Sequence, residues 1–197
     1  VIATSLGTNS VTVLRRGAGT AVTLDVGAPS WGVDFAGARA YVTHPDVGWI
    51  SVVHFSGSGT PIVEAQTIAV PPGCTEILAN DAGTKLYVAN VGRSTATTED
   101  DAWQHSIVVI DITDWTEPDQ SSFPTERQPR ALALSPDESR LIVGTIQGAF
   151  GGTGLAPDVQ AINGFTDPYD GGSILLHDLT AGGQAQTRIP IGSPVRG

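Results

Sequence analysis

The chain has 197 residues, 40% of them hydrophobic, which is enough for one ordinary domain with a real core. Acidic residues outnumber basic ones 20 to 10, and the formal net charge of −10 excludes a phosphate-backbone partner, because nucleic acids are held by basic faces. Cys74 is the sole cysteine, so an internal disulfide, a haem-attachment motif and a zinc set are excluded, and no apolar run approaches the roughly 18 residues that span a bilayer.

In chain order the sequence reads as short strands separated by turn signals, with no helical period. VIAT and SVTVL (Ser10–Leu14) are followed by AVTLDVG (Ala21–Gly27). Pro29 then opens PSWGVDFAG, followed by RAYVTH (Arg39–His44), ISVVHF (Ile50–Phe55) and EAQTIAVP. Pro72 opens PGCTEILAND, followed by KLYVAN (Lys85–Asn90), SIVVID (Ser106–Asp111) and a degenerate stretch ending FPTE. Pro129 opens PRALALSPD, followed by RLIVGT (Arg140–Thr145), SILLHD (Ser173–Asp178) and TRIPIG; PVRG from Pro194 starts the series again. We label the four strand types A, B, C and D.

The recurring B strand has one grammar: a basic residue, two mostly apolar residues, a Val, a small residue, then a polar one. A period of this size marks a repeat architecture. The A-to-B turns AGAR, NDAGTK and SPDES supply the Gly, Asn, Asp and Pro that tight turns require. The segments PRALALSPDESRLIV (Pro129–Val143), KLYVANVG (Lys85–Gly92) and SIVVIDI (Ser106–Ile112) resemble the YVTN family of β-propeller repeats, which includes surface-layer-type propellers. The resemblance implies four-stranded antiparallel blades around a central channel. Residues 1–27 make a partial blade, 28–71, 72–128 and 129–192 make three whole ones, and 193–197 begin the next A strand. Members of that family usually have about seven blades, so the chain is expected to be part of a larger ring. A small four-bladed ring closed by PVRG is the alternative.

Propeller geometry puts the B-to-C and D-to-A connections on one face. Two B-to-C connections are long, residues 93–105 and 146–172, and both fall on that face in adjacent blades. They carry the candidate ligand- or partner-binding residues Asp101, Trp103, His105, Phe165, Asp167 and Tyr169. His44, at the end of another B strand, and Arg130, after Pro129, join them on the same rim. Arg130 could instead bridge blades through the repeat aspartates Asp111, Asp137 and Asp178. In DPYDGG, Asp167 and Asp170 offer oxygen ligands suited to calcium, without EF-hand spacing; no other cofactor is evident. His54 and His177 are aligned at one C-strand position with Leu14 and Ile110, which implies packing, and Trp31 is expected between blades.

No GxSxG elbow, P-loop or HExxH motif is present. The expected function is a non-catalytic extracytoplasmic scaffold, since members of the resembled family are commonly periplasmic, secreted or cell-surface proteins. Its partner is another protein or the remaining blades of the same propeller. The alternatives are a propeller domain or subunit of a haem- or quinone-dependent oxidoreductase, associated with a cytochrome-type domain, a lactonase-like hydrolase, and a structural surface-layer or filament subunit.

Overall fold

The structure, a computed structural model, describes residues 1–14, 21–57, 59–92, 105–125, 128–146, 173–183 and 185–190. The long connections expected to carry Asp101, Trp103, Phe165, Asp167, Tyr169 and Asp170 lie outside the described residues.

Every regular element longer than three residues among the described residues is a strand. Blade 1 holds β1 (Ile2–Thr4), β2 (Ser10–Leu14) and β3 (Ala21–Asp25) in a three-stranded sheet. Blade 2 holds β4 (Val33–Ala36), β5 (Arg39–His44), β6 (Trp49–His54) and β7 (Ile62–Ala69). Blade 3 holds β8 (Cys74–Ala79), β9 (Lys85–Asn90), β10 (Ser106–Asp111) and β11 (Asp119–Pro124). Blade 4 holds β12 (Gln128–Leu134), β13 (Arg140–Ile146), β14 (Ser173–Asp178) and β15 (Ala185–Pro190). In each sheet the strands pair antiparallel in sequence order, so the A-B-C-D reading holds for three blades and B-C-D for the first.

The B-strand grammar follows from burial on both faces. A strand sends successive side chains to opposite sides of its sheet. In β9, Leu86 and Val88 pack toward blade 2, whereas Tyr87 and Ala89 pack toward blade 4. In β5, Ala40 and Val42 pack toward blade 1 and Tyr41 toward blade 3. The three apolar clusters of the molecule are therefore the three blade junctions. The largest joins Tyr41, Ile50, Val52 and Ile68 of blade 2 to Ile77, Leu86, Val88 and Ile110 of blade 3. Each fully buried aliphatic side chain there contributes about 1.5–3 kcal/mol.

The turns at the far end are closed by aspartates. Ser135 and Ser139 hydroxyls donate to Asp137, holding its carboxyl down to about 2, and Asp111 and Asp178 accept from Thr113 and Thr180. These carboxylates sit in the A-to-B and C-to-D turns, at the opposite end from Arg130, so the expected bridges between them and Arg130 are not made. The register also corrects the alignment of the histidines. His54 faces Arg39 across the ladder as Asp111 faces Lys85 and Asp178 faces Arg140, so His54 stands in the aspartate position. The cause is that β6 starts one residue earlier than expected, at Trp49. His54 is half-exposed and lies 3.5 Å from Glu64, while His177 is buried against Phe123 with ring centroids 4.7 Å apart.

Candidate functional site at the loop-bearing rim

The rim that carries the long connections is built from the ends of B strands and the starts of A strands. Its connections leave from pinned bases. Asn90 is buried, and its Oδ1 accepts from Gly92 N at 2.9 Å, while Val91 N donates to Gly73 O at 3.0 Å and Gly73 N to Pro45 O at 2.8 Å. Gly73 has φ +96 and its backbone lies directly against the Gly92 carbonyl, so no side chain fits there. On the return side Thr125 N donates to His105 O at 2.8 Å. The second connection leaves and returns between Thr145 and Ser173, whose hydroxyls lie 2.9 Å apart in a buried pair.

Hydroxyls also latch one blade to the next. Thr4 Oγ1 of blade 1 donates to Trp31 O of blade 2 at 2.7 Å. At the equivalent position of blade 2, buried Thr43 donates to Thr75 O of blade 3 and accepts from Gly32 N at 2.8 Å. Ala89 and Gly144 stand at this position in blades 3 and 4, and carry no hydroxyl.

Near these latches the A strands of blades 3 and 4 are bulged, between Cys74 and Ile77 and between Pro129 and Ala131. A bulge re-aims the side chains within it. Glu76 and Arg130 occupy these two irregularities. Glu76 accepts from the Trp31 indole N–H at 3.1 Å, and Arg130 donates to Gln128 Oε1 at 3.4 Å. Burial lowers the pKa of the Arg130 guanidinium, and the Glu76 carboxylate opposes that shift. His105 is 9% exposed; burial lowers its pKa below the usual histidine value, the Arg130 charge lowers it further, and a hydrogen bond with the Val91 backbone opposes both. Three adjacent blades thus bring Trp31, Glu76, Arg130 and a neutral-leaning His105 together at the rim, an acceptor and a donor side by side.

His44 is placed differently. It is 0% exposed, its Nδ1 faces Pro29 O at 3.0 Å, and its Nε2 lies 2.9 Å from Ser51 Oγ. Both ring nitrogens are engaged within the fold, leaving none for a ligand. Of the candidates read from sequence, the structure brings His105 and Arg130 together and places His44 apart from them. Trp31 is half-buried, with its indole turned to Glu76. Glu76 escaped the sequence reading because only the bulge brings it to the rim. Among the described residues no group of three or more His, Cys, Asp or Glu could hold a metal ion.

No family model matches the chain, and no curated protein matches it by sequence. Solved structures do match. Hydrazine synthase from Kuenenia stuttgartiensis superposes with a TM-score of 0.64 at 21% identity, covering 93% of this chain and 43% of that one. The periplasmic gluconolactonase PpgL of Pseudomonas aeruginosa gives 0.63 at 17% identity, over 98% of this chain and 51% of that one. Dihydro-heme d1 dehydrogenase NirN in complex with DHE gives 0.56 at 10% identity, over 97% and 35%. The chain spans about half or less of the length of these structures. The likeness is one of fold: the chain is an all-β arc of β-propeller blades.

Proposed function

We propose that the chain is the loop-bearing arc of a non-catalytic, extracytoplasmic β-propeller scaffold that binds a protein partner or ligand at the B-to-C rim. The observation that carries this reading is the pinned pair of bases, at Asn90–His105 and Thr145–Ser173, from which both long connections leave the same rim of adjacent blades beside Glu76 and Arg130. Long connections on a rigid scaffold are where binding groups are placed. The periplasmic location stated for one structural neighbour agrees with an extracytoplasmic setting. Within the described residues no helix is long and apolar enough to cross a membrane.

The test is cross-linking of the native protein in its source extract with a carboxylate-reactive linker, because Lys85 is the only lysine. Partner cross-links on residues 93–105 and 146–172 are expected, and they must disappear when those connections are replaced by a turn like Pro45–Gly48. Cross-links clustered instead on Asp81 and Asp137, at the opposite end, overturn the placement. Calcium at Asp167 and Asp170 is part of the same reading. Titration of the native protein with calcium chloride should raise its melting temperature, and Asp167→Asn with Asp170→Asn should remove the increase.

A second reading is a redox or hydrolytic propeller, a subunit of a haem- or quinone-dependent oxidoreductase or a lactonase-like enzyme. The paired acceptor and donor, Glu76 and Arg130, with His105 beside them, favour it. A Soret band in the absorption spectrum of the native material would support the haem form and displace the scaffold.

A further inference from the structure

We propose that the outward face of blade 4 is an unfinished blade junction, covered in the native protein by a complete four-stranded blade lying outside these 197 residues.

The argument is positional. In blade 3, Tyr87, Ile107, Val109 and Phe123 face blade 4; in blade 2, Tyr41, Ile50, Val52 and Ile68 face blade 3. The strand registers map these positions onto Ile142, Ile174, Leu176 and Ile189 of blade 4. Ile107 pairs with Phe123 and Ile50 with Ile68, as Ile174 pairs with Ile189. The two inner sets are covered by the next blade, which leaves Phe123 3% exposed, whereas Ile189 is 46% exposed. On the A strand, Ala133 stands where Leu78 packs into the junction of blades 3 and 4, and Ala133 is exposed. Blade 4 therefore repeats the apolar pattern of a covered face without its cover. A stretch of sheet this apolar, continuous with three established junctions, calls for the same kind of occupant.

The junctions also define that occupant. At each complete one, the A strand of the following blade packs on the A and B strands of the preceding blade: β8 on β4 and β5, and β12 on β8 and β9. The cover for β12 and β13 must bring its own A strand, with small and β-branched residues on its facing side as in Ala40, Val42 and Val53. Blade 1 of a second copy has β1, β2 and β3 but no A strand among the described residues, and it presents Thr12 and Thr23 on the face that would dock. A second copy is the poorer fit.

Thiol labelling of the native protein tests this. Cys74 is 0% exposed and serves as the silent background. Ala133→Cys and Ile189→Cys probe the inner and outer parts of the face, and Ile62→Cys, at a position 53% exposed and outside every junction, is the reference. The thiols at 133 and 189 should label roughly a hundredfold more slowly than the thiol at 62. Equal labelling at all three sites overturns the proposal. Protection that disappears on dilution, from a species of twice 20.3 kDa, assigns the cover to a second copy and overturns it too.

Discussion

At the scale of single residues, hydroxyls and imidazoles do more at the blade junctions than their exposed counterparts could. Thr43 satisfies a buried amide and a buried carbonyl at once, Gly32 N and Thr75 O. Thr43→Val keeps the shape and strands both groups, so it should cost about 1–3 kcal/mol in urea unfolding. Thr4→Val removes the same latch where Thr4 is half-buried and water can replace the hydroxyl, so a smaller loss is expected. Equal losses would show that the latch is not the cause. His44 and His105 give the fold a pH dependence of known sign. Burial is the largest cause at both, and it lowers each pKa from an ordinary value of 6.5. Below that value the unfolded chain binds protons that the native state refuses. Stability is therefore flat above about pH 7 and falls as pH drops through 6.5 toward the lowered native values. A His44→Gln, His105→Gln variant starts less stable at pH 7 and should lose less between pH 7 and 5; thermal melts across that range decide it.

At the scale of elements, the strands whose two faces are both covered were the easiest to read. RAYVTH, KLYVAN and SIVVID became β5, β9 and β10 because burial on both sides demands an unbroken β-branched and aromatic run. β11, DQSSFP, was legible only as a degenerate stretch, because a half-exposed outer strand needs little more than Phe123 to hold it. The rim site was less legible still. Arg130 and His105 could be placed there from loop order, but Glu76 enters through a bulge, and a bulge leaves no periodic mark in sequence. The histidine alignment slipped by one residue for a related reason: Ile50 looks like the start of a strand, yet Trp49 already pairs with His44. Element position also sets the cost of truncation. Ile107 is fully buried between blades 3 and 4, and Ile107→Ala should cost about 2–5 kcal/mol. Leu14, 47% exposed at the outer face of blade 1, should change stability by about 0.5 kcal/mol or less on conversion to Ala. Denaturation midpoints of the two variants measure the difference.

At the scale of the whole molecule, stability is a chain of neighbour terms, each blade contacting the next and no other. Opening free energy should then follow the number of covered faces rather than strand length or sequence. Blades 2 and 3 are covered on both sides, and their strands β5, β6, β9 and β10 should hold the slowest amides in native-state hydrogen exchange. Blade 1 has Val1 84% exposed and Leu14 half-exposed on its outer face, so β2 and β3 should exchange well ahead of them. Blade 4 is the informative case. Its inward face is buried in the junction with blade 3, through Leu141, Val143 and Leu175, while its outward face carries Ile142, Ile174 and Leu176. If a further blade covers that second face, β13 and β14 must exchange with the slow class of β9 and β10. Exchange in step with β2 would mean that the apolar face stands open to water, and that the arc ends at blade 4.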